Sequence, residues 1–216
     1  MTEHRLAVSR STRYYTLGRP GGEVWFVLHG YGQSAERFLT DCAALDDGTR
    51  LVVAPEALSR FYVDRAHRIV GASWMTREHR RAEIDDYVRY LDAVWQAVMP
   101  APAAPSPGGP VHVLGFSQGA AAAARWLALG AARAERLILW GGEVPPDLDL
   151  DDAVLAARLA GLRLTLVAGR QDDYITDKIL ERDGERLRRA GVPFGIVRFE
   201  GGHMIDAKVL GEIAGE

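Results

Sequence analysis

The chain contains little cysteine, little lysine and no long apolar run. Its 216 residues include one cysteine, Cys42, and two lysines, Lys178 and Lys208. A lone cysteine excludes an intrachain disulfide and fits a reducing compartment. Arginine carries nearly all the positive charge, which we read as compositional bias rather than function. No stretch approaches the ~20 apolar residues of a membrane span, and Arg125 interrupts even the alanine-rich run. The opening residues MTEHRLAVSRSTRYY are too polar for the core of a signal peptide. A cytoplasmic protein with no integral membrane segment is therefore expected. The net charge of −3 leaves no basic footprint for nucleic acid.

What is present is an ordinary globular composition, 48% hydrophobic and 25% charged. The length suits one domain at ~100–200 residues each. Short apolar runs end repeatedly at Gly or Pro: 23–30, 50–56, 110–117, 136–142, 162–169 and 194–202. Unbroken apolar runs of this length suit strands buried on both faces, as in a parallel sheet. Helical patterns lie between them, at 34–47, 82–99, 118–130, 151–160 and 175–190, with a short piece from Asp206. In 82–99, Ile84, Tyr87 or Val88, Leu91, Val94 or Trp95 and Val98 fall on one face at three- and four-residue spacing. The alternation predicts an α/β fold with a mostly parallel sheet. Residues 4–18 could add one or two leading edge strands. Two segments break the rhythm: a Pro-rich connection at 100–110 and a long excursion at 56–81, of a length that is often functional.

The stretch GFSQGAAAAARW, residues 115–126, places Ser117 midway between Gly115 and Gly119, after a strand and at the head of a helix. A strand turning directly into a helix crowds the residues two before and two after the apex. Glycine is required at both, and the apex serine is exposed in strained geometry. The helix N-terminus beside it favours developing negative charge.

A serine nucleophile needs a base and an orienting acid, in the chain order Ser, Asp or Glu, His on this kind of fold. Only His203, in EGGHMID, follows Ser117. The other histidines have plainer readings: His112 in a strand, His4 near the terminus, His67 and His79 in the charged excursion. The acid should follow the strand at 162–169, where Asp172 and Asp173 are adjacent. Asp172 is preferred from its distance to Gly169, with Asp173 as a cap or surface residue and Glu143 as the fallback. Oxyanion donors are expected from the backbone N–H of Gln118 and, in the turn HGYGQS, from that of Tyr31. His29 reads as structural. Phe61, Tyr62, Trp74 and Met75 are candidates for a substrate pocket wall, against ordinary packing. Cys42 reads as a buried apolar residue.

The segments HGYGQSAE, GFSQGAA, GRQDDYI and GGHMI, in this order, resemble the phospholipase/carboxylesterase group of α/β-hydrolases, which includes acyl-protein thioesterases. The likeness runs from about residue 20 to 210. It implies an α/β-hydrolase fold with helices on both sheet faces and a Ser-His-Asp hydrolase without metal or organic cofactor. It further implies small-molecule carboxylic esters, thioesters or lysophospholipids as substrates, with Ser117, Asp172 and His203 as triad. The turn AGRQDD and the flanks EALSRFYV and TREHRRAE depart from that group's pattern and leave the substrate open. The rivals are a peptidase or acyl-protein thioesterase, which would use the same acyl-enzyme, and a non-catalytic binding protein on the same fold.

Overall fold

The computed structural model describes residues 1–99 and 109–216, so most of the Pro-rich connection at 100–110 lies outside the described residues. The strands are β1 (Tyr14–Gly18), β2 (Val24–Leu28), β3 (Leu51–Pro55), β4 (Ser59–Tyr62), β5 (Val70–Ser73), β6 (Val111–Phe116), β7 (Arg136–Trp140), β8 (Arg163–Gly169) and β9 (Phe194–Phe199). The helices are α1 (Ala35–Asp41), α2 (Arg80–Val98), α3 (Gln118–Leu129), α4 (Ala153–Ala160), α5 (Asp177–Arg189) and α6 (Ala207–Gly215).

Seven strands form one sheet in the order β1-β3-β2-β6-β7-β8-β9. Only the edge strand β1 runs antiparallel, against β3; every other pairing is parallel. The apolar runs are two-sided because both faces are covered. Val24, Phe26 and Leu28 of β2 point to one core with residues of α2, α3, α4 and α5, while Trp25 and Val27 point to a second core with α1 and α6. The same alternation places Leu137 and Leu139 in the first core and Ile138 and Trp140 in the second. Helix α2 buries Ile84, Tyr87, Val88, Leu91 and Val94, the face its spacing predicts. The C-terminal carbonyls of α6, at Ile213 and Ala214, accept from Arg136 and Arg50 at 2.7 Å each. These charges also suit that end of the helix.

Residues 4–18 supply the one edge strand β1, within the expectation of one or two. Some elements differ in extent from the pattern in the sequence. The helix expected over 34–47 ends at Asp41 and gives way to a 3₁₀ turn at Ala43–Leu45. Beyond it, Asp46 and Asp47 accept the N–H groups of Gly48 and Thr49, local bonds that compete with the helical ladder. Helix α4 starts at Ala153 because the carboxylate of Asp152 caps the N–H groups of Val154 and Leu155. The excursion at 56–81 contains an antiparallel hairpin, β4 with β5. Asp64 Oδ1 accepts from Arg68 and Ile69 at 2.8 and 2.7 Å and so folds the hairpin tip back. Among the described residues, no helix is long and apolar enough to cross a membrane.

Candidate active site

The turn between β6 and α3 is as tight as its sequence requires. A Cβ on Gly115 would lie 2.2 Å from the carbonyl oxygen of Gly119, and one on Gly119 would lie 2.2 Å from that of Leu28. Between them Ser117 adopts φ 55°, ψ −118°, a region that a residue with a Cβ rarely occupies. Its N–H donates to Trp140 O at 2.8 Å, which ties the strained apex to β7. Its hydroxyl makes no capping bond to its own helix. Gln118 is the first residue of α3, so its N–H has no intrahelical acceptor.

Asp172 and His203 meet at the C-terminal ends of β8 and β9. His203 Nδ1 lies 2.9 Å from Asp172 Oδ2, and the Asp172 side chain is 1% exposed. The other carboxylate oxygen accepts from Tyr174 N and Ile175 N at 2.8 and 2.9 Å. Burial works to raise the Asp172 pKa. The N–H groups of Ile175 and Tyr174 and the imidazole of His203 outweigh it and hold the pKa below its ordinary value. A carboxylate can only accept, so Nδ1 carries the proton and Nε2 is left as the basic nitrogen.

The imidazole lies between two rings, with Phe116 centred 4.9 Å away and Tyr174 4.7 Å away. Beneath it is Gly141, at φ +56°, where a Cβ would come within 3.2 Å of both His203 and Phe116. Phe116 immediately precedes Ser117, so the elbow and the histidine share these neighbours. Asp173, one residue from Asp172, is exposed. Glu143 is held by Arg182 at 2.6 Å.

The turn after β2 abuts the elbow: a Cβ on Gly30 would lie 3.2 Å from Ser117 Cβ. His29 is fully buried. Its Nδ1 donates to Gly30 O at 2.7 Å and its Nε2 accepts from Ala57 N at 3.1 Å. Burial pushes its pKa down, and with both nitrogens occupied the ring shapes the turn. Tyr31 follows, 63% exposed, with its ring 5.2 Å from that of Phe61.

The four candidate wall residues separate into two pairs. Phe61 faces Tyr31, and Tyr62 is exposed and stacked on His67 at 4.8 Å. Trp74 is 2% exposed, edge-on to Tyr87, with Nε1 donating to His29 O at 2.8 Å. The sulfur of Met75 lies 3.7 Å from Arg125 Nη1. Packing thus claims the side chains of Trp74 and Met75. Two surface cavities, of about 120 Å³ beside Arg13, Glu56 and Arg60 and about 350 Å³ between 146–151 and Arg186, are lined by none of Ser117, Asp172 and His203.

Two features have no signal in the sequence. The side chain of Gln118 bonds to the end of β5 and the residues after it. Arg125, on the alanine-rich helix, is 2% exposed and paired with Asp147, which also binds Arg80 at 3.0 Å. Burial works to raise the Asp147 pKa, but its bonds to Arg125 and Arg80 prevail and hold it at about 2.

A family model described as serine hydrolase (FSH1) matches residues 25–209, which contain the elbow, the Asp172 turn and His203. The chain belongs to the FSH1 serine hydrolase family. Solved structures share the fold of this serine hydrolase at low identity. Acyl-protein thioesterase 2 of Zea mays is 17% identical, with a TM-score of 0.69 over 95% of this chain and 97% of that one. A carboxylesterase from Mesorhizobium loti is 20% identical, with a TM-score of 0.66 over 90% and 89%. A phospholipase/carboxylesterase from Dyadobacter fermentans is 16% identical, with a TM-score of 0.63 over 97% and 99%. The resemblance to that group therefore holds as a shared α/β-hydrolase fold. No curated protein matches the sequence.

Proposed function

We propose that this serine hydrolase cleaves carboxylic esters through an acyl-enzyme on Ser117, with His203 as general base and Asp172 as its orienting acid. One observation carries the reading: the 2.9 Å contact between His203 Nδ1 and Asp172 Oδ2, with the imidazole 4.9 Å from the ring of Phe116, the residue before a serine at φ 55°. His203 Nε2 takes the hydroxyl proton as Ser117 Oγ bonds to the acyl carbon. The carbonyl oxygen becomes an oxyanion, received by the backbone N–H groups of Gln118 and Tyr31. The tetrahedral centre collapses, the bond to the leaving oxygen breaks, and His203 returns the proton to the departing alcohol. Water then repeats the sequence on the acyl-enzyme, releasing the acid and Ser117. Asp172 keeps the imidazole in the required tautomer and stabilises its protonated form without taking a proton itself.

Tyr31 and Phe61, in contact beside the elbow, favour an apolar acyl group on that side. A thioester would pass through the same acyl-enzyme, and thioesterase chemistry is named for one fold neighbour. The test is hydrolysis of p-nitrophenyl acetate. Ser117→Ala should reduce kcat by at least about a thousandfold with the fold intact. Asp172→Asn should reduce it about 10³–10⁴-fold by presenting the wrong tautomer. Wild-type turnover in Ser117→Ala would end the proposal.

A further inference from the structure

Gln118 enters the proposed mechanism through its backbone N–H, yet its side chain makes the most specific contacts around the elbow. Its Oε1 accepts from Trp74 N at 2.9 Å, and its Nε2 donates to Met75 O at 2.8 Å. A backbone N–H can only donate and a carbonyl can only accept, so the two ends of the carboxamide are assigned without ambiguity. Ser73 adds its hydroxyl, 3.2 Å from Gln118 Nε2 and donating to Met75 O at 2.9 Å. The elbow is thus tied to a segment more than 40 residues distant by a side chain paired with two main-chain groups.

The same segment holds the other half of the oxyanion site. Ala72 exchanges two main-chain bonds with the turn after β2: Gly32 N donates to Ala72 O and Ala72 N donates to Gln33 O, each at 2.9 Å. Trp74 Nε1 donates to His29 O at 2.8 Å, at the start of that turn. Residues 72–75 therefore touch the Tyr31 turn on one side and the Gln118 side chain on the other. The ring of Trp74 fixes this segment against Tyr87 of α2.

We infer that residues 72–75 act as a strut setting the separation of the two oxyanion donors, and that the Gln118 carboxamide is its joint to the nucleophile elbow. Gln118 is then a positioning residue as well as a donor, and Trp74 is the positioning residue at the far end. An oxyanion site works only when its N–H groups converge on the position of the developing charge, within a few tenths of an ångström. The bonds of Gln118 are already made in the resting protein. Their loss should weaken binding of the tetrahedral species more than binding of the ground-state ester. This inference rests on the esterase reading given above.

The test uses Gln118→Ala, Trp74→Phe and the double variant. The readouts are kcat and KM for p-nitrophenyl acetate, the inhibition constant of phenylboronic acid, which forms a tetrahedral adduct on serine, and fluorophosphonate labelling. Removing an oxyanion donor outright costs about 10²–10³-fold, so displacing one should lower kcat by about 10–100-fold. KM should stay within about threefold, and boronate affinity should fall in parallel with kcat. Trp74→Phe keeps an aromatic, though smaller, side chain but removes the indole bond to His29 O, and should act in the same sense. If both residues serve one strut, the double variant should lose less than the product of the single losses.

Wild-type kcat and boronate affinity in Gln118→Ala would overturn the inference, as would a rise in KM alone. If Gln118→Ala does not fold, Trp74→Phe decides, and unchanged turnover there overturns it. Failure of wild-type Ser117 to label would instead refute the esterase reading, so the two failures are distinct.

Discussion

Ser117 holds φ 55° because the glycines on either side allow β6 and α3 to close over it. At Gly119, an alanine methyl would sit 2.2 Å from Leu28 O, a backbone atom that cannot swing away. Gly119→Ala should therefore destabilise the protein by about 2–3 kcal/mol and reduce turnover, measured by urea unfolding and ester hydrolysis. A stable, fully active variant would mean that the elbow has room to relax. Ser117 and His203 stand out in the sequence for a topological reason. The flanking glycines mark the turn, and only one histidine follows it in the chain. Asp172 is preferred over Asp173 from its distance to Gly169, and the structure sets Asp172 against His203 and leaves Asp173 exposed. The side-chain role of Gln118 was not legible at all. Its partners are backbone groups of Trp74 and Met75, and a backbone group has no sequence signature.

Helix α3 packs on β6, β7, α2 and α4, and it can lie this close because its inner residues are alanines. Ala123 is fully buried, so Ala123→Leu should cost about 1–3 kcal/mol through overpacking and loosen the seat of Ser117. A thermal melt together with kcat measures both. Arg125 on the same helix is buried against Asp147, and the two make an ion pair whose pH dependence has a definite sign. The Asp147 pKa lies at about 2 in the fold, below the ~3.9 of a free aspartate. Its contribution is therefore full above about pH 4 and is lost as pH falls through about 2. Asp147→Asn should cost about 2 kcal/mol at pH 7, a figure discounted because the carboxylate is partly exposed. The gap from wild type should close toward pH 2 in urea titrations. The apolar strands and α2 could be read from periodicity alone. The β4–β5 hairpin could not, because the turn that makes it depends on Asp64 capping two N–H groups at the tip.

Across the whole molecule, the two-sided sheet buries histidines as neutral rings far from the elbow as well as near it. His112 of β6 lies tilted against Trp25, ring centres 4.6 Å apart, and burial pushes its pKa down to about 4 despite Glu23 nearby. An unfolded histidine titrates near ~6.5, so stability from His112 is full above that pH and is lost as pH falls toward about 4. His112→Phe should flatten the acid limb of stability between those values, by up to about 1.4 kcal/mol per pH unit. An unchanged limb would assign the acid sensitivity to other groups. The mostly parallel sheet follows from strand–helix alternation and an edge strand in 4–18 is anticipated, whereas the strand order and the antiparallel pairing of β1 with β3 depend on contacts that no local pattern announces.

All of these scales meet in the claim that Ser117 is the nucleophile. The most direct measurement is mass spectrometry of the protein after reaction with a fluorophosphonate, in which Ser117 Oγ bonds to phosphorus and fluoride leaves. The account predicts a single adduct, mapped to the peptide containing Ser117, and strongly slowed labelling in His203→Ala. An adduct on another residue, or none in the folded wild-type protein, would contradict it.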